Sequence, residues 1–129
     1  MGKSISLMKN SIKISIGIAL VVVLLFAYSF NKQSEPGKYD VFASCLTEAG
    51  AKFYGSFQCT HCTTQKAMFG NSINKINYIE CGPLGGPQNA VCQQAKITAY
   101  PTWTFADGSS QQGVLSFEQL SQKTNCELQ

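Results

Sequence analysis

Ala51-Lys52-Phe53-Tyr54-Gly55-Ser56-Phe57-Gln58-Cys59-Thr60-His61-Cys62, continuing through Phe69-Gly70, is the stretch whose reading decides the fold of this chain. The apolar segment Ala51 to Gly55 is consistent with a buried strand, and Thr60 to Phe69 reads as a helix that Gly70-Asn71 stops. At the junction, Cys59-Thr60-His61-Cys62 sets two cysteines two residues apart at a helix start. Such a pair can close a small disulfide with little backbone movement. The first thiol also faces unpaired backbone N–H groups and the positive end of the helix dipole. That environment favours thiolate, the species that attacks disulfides. The spacing points to thiol–disulfide chemistry.

Working outward, Tyr39 to Ala49 carries Val41, Phe42, Cys45 and Leu46 at helical spacing, and Gly50 is a suitable stop. Beyond the cysteine helix, Ile76 to Glu80 alternates as a second strand. Gly82-Pro83-Leu84-Gly85-Gly86-Pro87 is a loop, and Gln88 to Lys96 has helix-compatible composition. Thr102 to Ala106 is strand-like, Asp107-Gly108 signals a hairpin turn, and Gln111 to Leu115 returns as its partner. Ser116 is a natural N-cap for a closing helix that begins Phe117-Glu118-Gln119-Leu120. A strand–helix–strand crossover makes the first two strands parallel, and the hairpin makes the last two antiparallel. The expected fold is α/β, a mixed four-stranded sheet with helices on both faces.

The N-terminus adds one element. Ile14 to Phe30 (ISIGIALVVVLLFAYSF) is seventeen residues without a charge. As a helix it rises about 26 Å, slightly short of a hydrocarbon core of about 30 Å, and Ile12 with a snorkelling Lys13 can supply the rest. Lys3, Lys9 and Lys13 precede it with no acidic residue among them, which keeps that end cytoplasmic. The expected organisation is a cytoplasmic leg over 1–13, a transmembrane anchor over 14–30, a linker over 31–38 and a domain over 39–129. A cleaved signal peptide, with Ala27-Tyr28-Ser29 as the small-residue site, is the competing reading. Both readings put the domain outside the cytoplasm.

Composition narrows the function classes. The formal charge of +3 comes from the leg, because seven Lys and seven acidic residues follow Phe30 and the chain has no Arg. A neutral domain without guanidinium groups gives no sign of a nucleic-acid surface. Six cysteines, Cys45, Cys59, Cys62, Cys81, Cys92 and Cys126, suit an oxidising compartment.

The element order, with the cysteine pair leading a helix and Tyr100-Pro101-Thr102 ahead of the hairpin, resembles the thioredoxin fold from about Tyr39 onward. More narrowly, the chain looks like the thioredoxin-like domain associated with bacterial and plant vitamin K epoxide reductase homologues. Gly50 to Gly55, Cys59 to Cys62 with Gln65-Lys66 and Phe69-Gly70, Tyr78 to Cys81, Cys92, Ile97, Tyr100 to Trp103 and Cys126 carry that resemblance. It implies an extracytoplasmic oxidoreductase in which Pro101 follows a cis bond and lies beside the cysteine pair. Two positions depart from the pattern. Relatives often place tryptophan at position 58, here Gln58. Cytoplasmic thioredoxins place a buried carboxylate six residues before the first cysteine, here Phe53. The second departure implies a poor thioredoxin-style reductase.

Each constellation has a bland alternative. Cys59 and Cys62 read as a catalytic dithiol, Cys59 the nucleophile and Cys62 the resolving thiol. A structural bridge or half a zinc site is the other reading, although Cys81 and Cys92 lie too far apart for a second zinc knuckle. His61, the only histidine, is either a solvated helix residue or a group that favours the Cys59 thiolate and makes the disulfide more oxidising. Pro101 is either an ordinary strand-boundary proline or one that removes a backbone donor and leaves nearby main-chain groups free for an extended substrate segment. Cys81 and Cys92 flank the glycine–proline loop and read as a structural bridge or a second redox pair. Cys45 and Cys126, on the first and last helices of the domain, read as a long-range staple or as free thiols. Trp103, Phe105, Phe117 and Leu120 read as core.

The resulting expectation is a single-pass plasma-membrane protein whose domain faces the periplasm or its equivalent. Its Cys59–Cys62 disulfide passes to cysteine-containing secreted or membrane proteins. A membrane oxidase like the vitamin K epoxide reductase homologues, or another quinone-linked one, reoxidises it. No metal and no soluble cofactor is implied, since the disulfide itself carries the two electrons. The rivals are an outward-facing reductase or isomerase and a non-catalytic, disulfide-stapled binding module.

Overall fold

A computed structural model describes residues 2–30 and 35–128, with side chains in the first helix described over 13–29. The chain divides into two units, Met1–Ser34 and Glu35–Gln129. In the first, α1 (Gly2–Phe30) is one helix that takes in both the lysine-bearing leg and the apolar run. No proline or internal charge pattern between Lys3 and Phe30 gives it a reason to stop. The apolar side chains from Ile14 to Phe26 are 54 to 68% exposed where described in full. Among the described residues no helix is long and apolar enough to cross a membrane. The apolar run of seventeen residues rises about 26 Å against about 30 Å of hydrocarbon, and the expected transmembrane helix over 14–30 is not met among the described residues.

Of the expected linker, 31–34 lies outside the described residues, and 35–38 is packed onto the second unit. Asn71 Nδ2 donates to the Glu35 carbonyl at 3.3 Å, and Ser72 Oγ accepts the Tyr39 N–H at 2.9 Å. A Cβ on Gly37 would meet Ser72 Oγ at 2.1 Å, so only glycine fits there. The compact unit therefore begins before Tyr39.

Its elements are α2 (Asp40–Glu48), β1 (Lys52–Gly55), α3 (Thr60–Phe69), a 3-10 turn (Gly70–Lys75), β2 (Tyr78–Glu80), α4 (Ala90–Gln94), β3 (Thr102–Thr104), β4 (Ser110–Gln112) and α5 (Phe117–Thr124). The sheet order is β2-β1-β3-β4. β1 and β2 are parallel with Phe53 opposite Tyr78; β1 and β3 are antiparallel with Phe53 opposite Trp103; β3 and β4 close the hairpin. This is the mixed four-stranded α/β sheet that the element order implies.

Alternation along β1 sorts the two faces. Phe53 joins one core with Phe42, Leu46, Phe69, Trp103 and Leu120, from α2, α3, β3 and α5. Tyr54, the next residue, joins a second core with Cys81, Cys92 and Ile97, which brings in α4. Phe53 and Trp103 stack at 5.0 Å between ring centroids, and Phe69 lies 6.2 Å from Trp103. Each such fully buried ring contributes about 2–3 kcal/mol of transfer free energy.

Several ends differ from the sequence reading. β3 stops at Thr104 because the Phe105 N–H turns to the Ser109 carbonyl at 3.0 Å, tightening the Asp107-Gly108 turn. β4 is Ser110–Gln112 rather than Gln111 to Leu115, since Gly113 adopts φ +93° and leaves the ladder. α4 is only Ala90–Gln94, started by Asn89, whose side chain accepts the Cys92 N–H. α5 runs to Thr124 behind a Ser116–Gln119 capping box.

Candidate active site

Cys59 is the N-cap of α3, with extended backbone at φ −84° and ψ 117°. Its Sγ accepts the Cys62 N–H at 3.3 Å, the role an oxygen plays at most helix starts. A first-turn donor of the helix therefore points at a reactive atom instead of an inert cap. The same sulfur donates to the Tyr100 carbonyl at 3.6 Å. Cys59 is 7% exposed and Cys62 1%, and both are free thiols. Both are buried and the pair is asymmetric only in degree, Cys62 being the deeper.

Electrostatics widen that asymmetry. Burial foremost, then the hydrogen bond and charge of Cys59, push the Cys62 thiol up to about 12, and the opposing backbone of Ser56 and the Lys66 ammonium do not offset them. Cys62 is thus held protonated at neutral pH.

The segment ahead of β3 forms the other wall. Tyr100–Pro101 is a cis bond, and Pro101 is buried. The Pro101 carbonyl accepts the Gly113 N–H at 2.8 Å, and Thr102 Oγ1 donates to the Ala99 carbonyl at 2.7 Å. These bonds fix the Tyr100 carbonyl against Cys59. His61 lies exposed on the first turn of α3, and among the described residues no hydrogen bond joins it to Cys59.

The other four sulfurs are bridged. Cys45 pairs with Cys126 and Cys81 with Cys92, across sequence separations of 81 and 11. Cys81 and Cys92 are fully buried and belong to the core on the α4 side of the sheet. Their loop nevertheless touches the reactive turn, because the Leu84 N–H donates to Gln58 Oε1 at 2.8 Å.

Three polar residues to which the sequence reading gave no role support the site. Gln65, fully buried, accepts from Trp103 Nε1 at 3.2 Å and from the Leu115 N–H at 2.8 Å, and donates to the Leu115 carbonyl at 3.1 Å. It ties α3 to β3 and to the strand-to-helix connection. Its signal was its place between Cys62 and Phe69, three and four residues away on one helix face. Tyr78 and Glu80 share a face of β2 and make the second unit of support. The Tyr78 hydroxyl donates to Glu80 Oε2 at 2.5 Å, while Glu80 Oε1 accepts the Phe57 and Gly82 N–H groups at 3.1 and 3.0 Å. Burial alone would raise the Glu80 carboxyl, but these donors and Lys66 hold it below the usual carboxylate range. Burial and the Glu80 charge push the Tyr78 phenol far up.

A mixed sheet carrying a free dithiol at a helix start, beside a cis-proline segment, is compatible with the thioredoxin-like class. No known protein-family description matches the chain. Among curated proteins it is similar to "Thiol-disulfide oxidoreductase LTO1" of Arabidopsis thaliana, 43% identical over 70 residues. That match spans 50% of this chain and 19% of the relative, and it supports a thiol–disulfide oxidoreductase.

Proposed function

We propose that this chain is a membrane-anchored, extracytoplasmic thiol–disulfide oxidoreductase. The reading is carried by one observation: of six cysteines, the two left as free thiols stand together at the start of α3, Cys59 7% exposed and Cys62 1%. Cys59 attacks, or is attacked by, a substrate sulfur, and a mixed disulfide forms. Cys62 then displaces the substrate and closes the Cys59–Cys62 bond, or in the opposite direction leaves as that bond opens. The Tyr100 main chain lies where an extended substrate segment would pair.

The direction in this proposal is oxidation of cysteine-containing secreted or membrane proteins, with reoxidation by a quinone-linked membrane oxidase resembling the vitamin K epoxide reductase homologues. Phe53, where a buried carboxylate would serve a thioredoxin-style reductase, supports that direction. Anchoring is supported by the uncharged run Ile14 to Phe30 behind three lysines, and by the exposure of its apolar side chains. An anchor raises the effective concentration of a membrane partner. Two bridges in about 95 residues suit an oxidising compartment.

Redox titration of the full chain against glutathione tests the assignment. A potential near −120 mV supports an oxidase and one near −270 mV a reductase. Alkylation after mild reduction that labels Cys59 no faster than Cys45 or Cys81 removes the enzymatic reading.

A further inference from the structure

The dithiol mechanism needs a place for one proton. Cys62 is protonated at rest and must become a thiolate to attack, yet it is 1% exposed and water does not reach it freely. The position that would offer a carboxylate on β1 is Phe53, packed edge-on to the Tyr78 ring at 5.0 Å.

The neighbouring strand supplies polar groups instead. A Cβ placed on Gly55 would stand 3.0 Å from Cys62 Sγ, 2.9 Å from Tyr78 Cε2 and 3.2 Å from the Tyr78 hydroxyl. The sulfur and the phenol thus border the same small space, which exists because residue 55 has no side chain. The phenol continues into the half-buried Glu80 carboxylate, whose Oε2 accepts its hydrogen at 2.5 Å. We infer that Tyr78 and Glu80 form a proton relay for Cys62, with Tyr78 passing the proton and Glu80 exchanging it with solvent. The inference rests on the dithiol-exchange reading and adds catalytic groups to it.

The described titratable groups facing this space are few. From α3 come Cys59, Cys62 and Lys66, whose Nζ sits 3.6 Å from the Tyr78 ring centroid; from β2 come Tyr78 and Glu80. The polarity is ordered. Tyr78 is kept protonated by burial and by Glu80, so the phenol is the conduit; Glu80 is kept ionised by its donors and by Lys66, so it has a free lone pair for the proton and sheds it to water rather than holding it.

The step balances. Cys62–SH gives its proton through the Tyr78 hydroxyl to the Glu80 carboxylate. The thiolate attacks Cys59 Sγ of the mixed disulfide, and the substrate sulfur leaves as a thiolate with the electron pair of the broken bond. The substrate disulfide is reduced by two electrons and the Cys59–Cys62 pair is oxidised. Run backward, substrate thiolate attacks Cys59, Cys62 leaves as thiolate, and the proton returns to it by the same groups.

The test follows the two sulfurs separately. The reduced full-length protein is mixed with less than one equivalent of the coloured aromatic disulfide dithionitrobenzoate over a range of pH. Attack by Cys59 releases the first coloured thiolate; attack by Cys62 on the mixed disulfide releases the second. In Tyr78→Phe the second phase should slow by about tenfold or more at neutral pH and need higher pH to recover, while the first phase keeps its wild-type rate. Glu80→Gln should repeat that pattern, and Trp103 fluorescence reports whether each variant is folded. Superimposed pH profiles for the second phase, or equal slowing of both phases, would overturn the relay. A wild-type protein without a first phase would instead remove the dithiol reading itself.

Discussion

Two helix starts on opposite faces of the same sheet hold a cysteine in the same place and put it to different use. In α3, Cys62 occupies the third helical position and its N–H is capped by Cys59 Sγ. In α4, Cys92 occupies that position and its N–H is capped by Asn89 Oδ1 at 3.0 Å. The difference lies in where the second sulfur comes from. For Cys62 it is the cap itself, so a bond between them stays within one turn and can open without disturbing the sheet. For Cys92 it is Cys81, just past the end of β2, so the bond joins helix to sheet and its opening would loosen the core there. Reactivity and stapling are therefore set by which residue caps the helix.

The largest expected effect tests that statement directly. Cys59→Ser should reduce disulfide exchange to the background rate, and Cys62→Ser should let mixed disulfides accumulate, both read by trapping of a labelled peptide. The double variant Cys81→Ser, Cys92→Ser should retain exchange. If it loses exchange while folded, the division of labour between the two helix starts is wrong.

Stability effects come next. Opening Cys45–Cys126, across a separation of 81, should cost about 4–5 kcal/mol in the chain-entropy model, and opening Cys81–Cys92, across 11, about 3 kcal/mol. Denaturant midpoints of the paired serine variants measure both. Between them in rank falls a pH effect centred on Cys62. Because the folded-state Cys62 pKa is raised from 9.0 to about 12, its contribution is complete below pH 9 and is lost as pH rises toward 12. Tyr78, raised as well, acts in the same direction. The reduced protein should therefore lose stability across that window faster than the form in which Cys59 and Cys62 are joined, as thermal melts at stepped pH would register. The smallest effect is at the α4 cap, where Asn89→Ala should destabilise by about 1 kcal/mol without altering exchange.

Legibility in the sequence followed the range of the interactions. Thr60–Phe69 was readable to the residue, because a cysteine pair at one end and Gly70 at the other are local signals. The parallel β1–β2 pair and the β3–β4 hairpin followed from connection rules that also need only neighbouring elements, whereas the β1–β3 pairing that sets the strand order did not. The short strands β3 and β4 were overread, since their ends depend on pairing and on the Gly113 backbone, not on hydrophobic alternation. Tyr78 and Glu80 were visible as an alternating strand but Tyr78 was not visible as a neighbour of the Gly55 gap that Cys62 also borders, because the β1–β2 register has no sequence signature. Gln65 had no assigned role in the sequence, because its bonds to Trp103 and Leu115 join residues 38 and 50 positions away. At the N-terminus the apolar run is plain in the sequence, whereas its described length falls short of a span.

The burial of three of the four bridged sulfurs has a further consequence for the proposed dithiol exchange. Cys81, Cys92 and Cys126 are at most 1% exposed, and the first two lie in a different core from Cys59. A nucleophilic sulfur swaps bonds with any disulfide that it can meet in line, its own included. The Cys81–Cys92 bond is thereby shielded across the sheet from Cys59, so exchange at the α3 pair would leave that staple unscrambled.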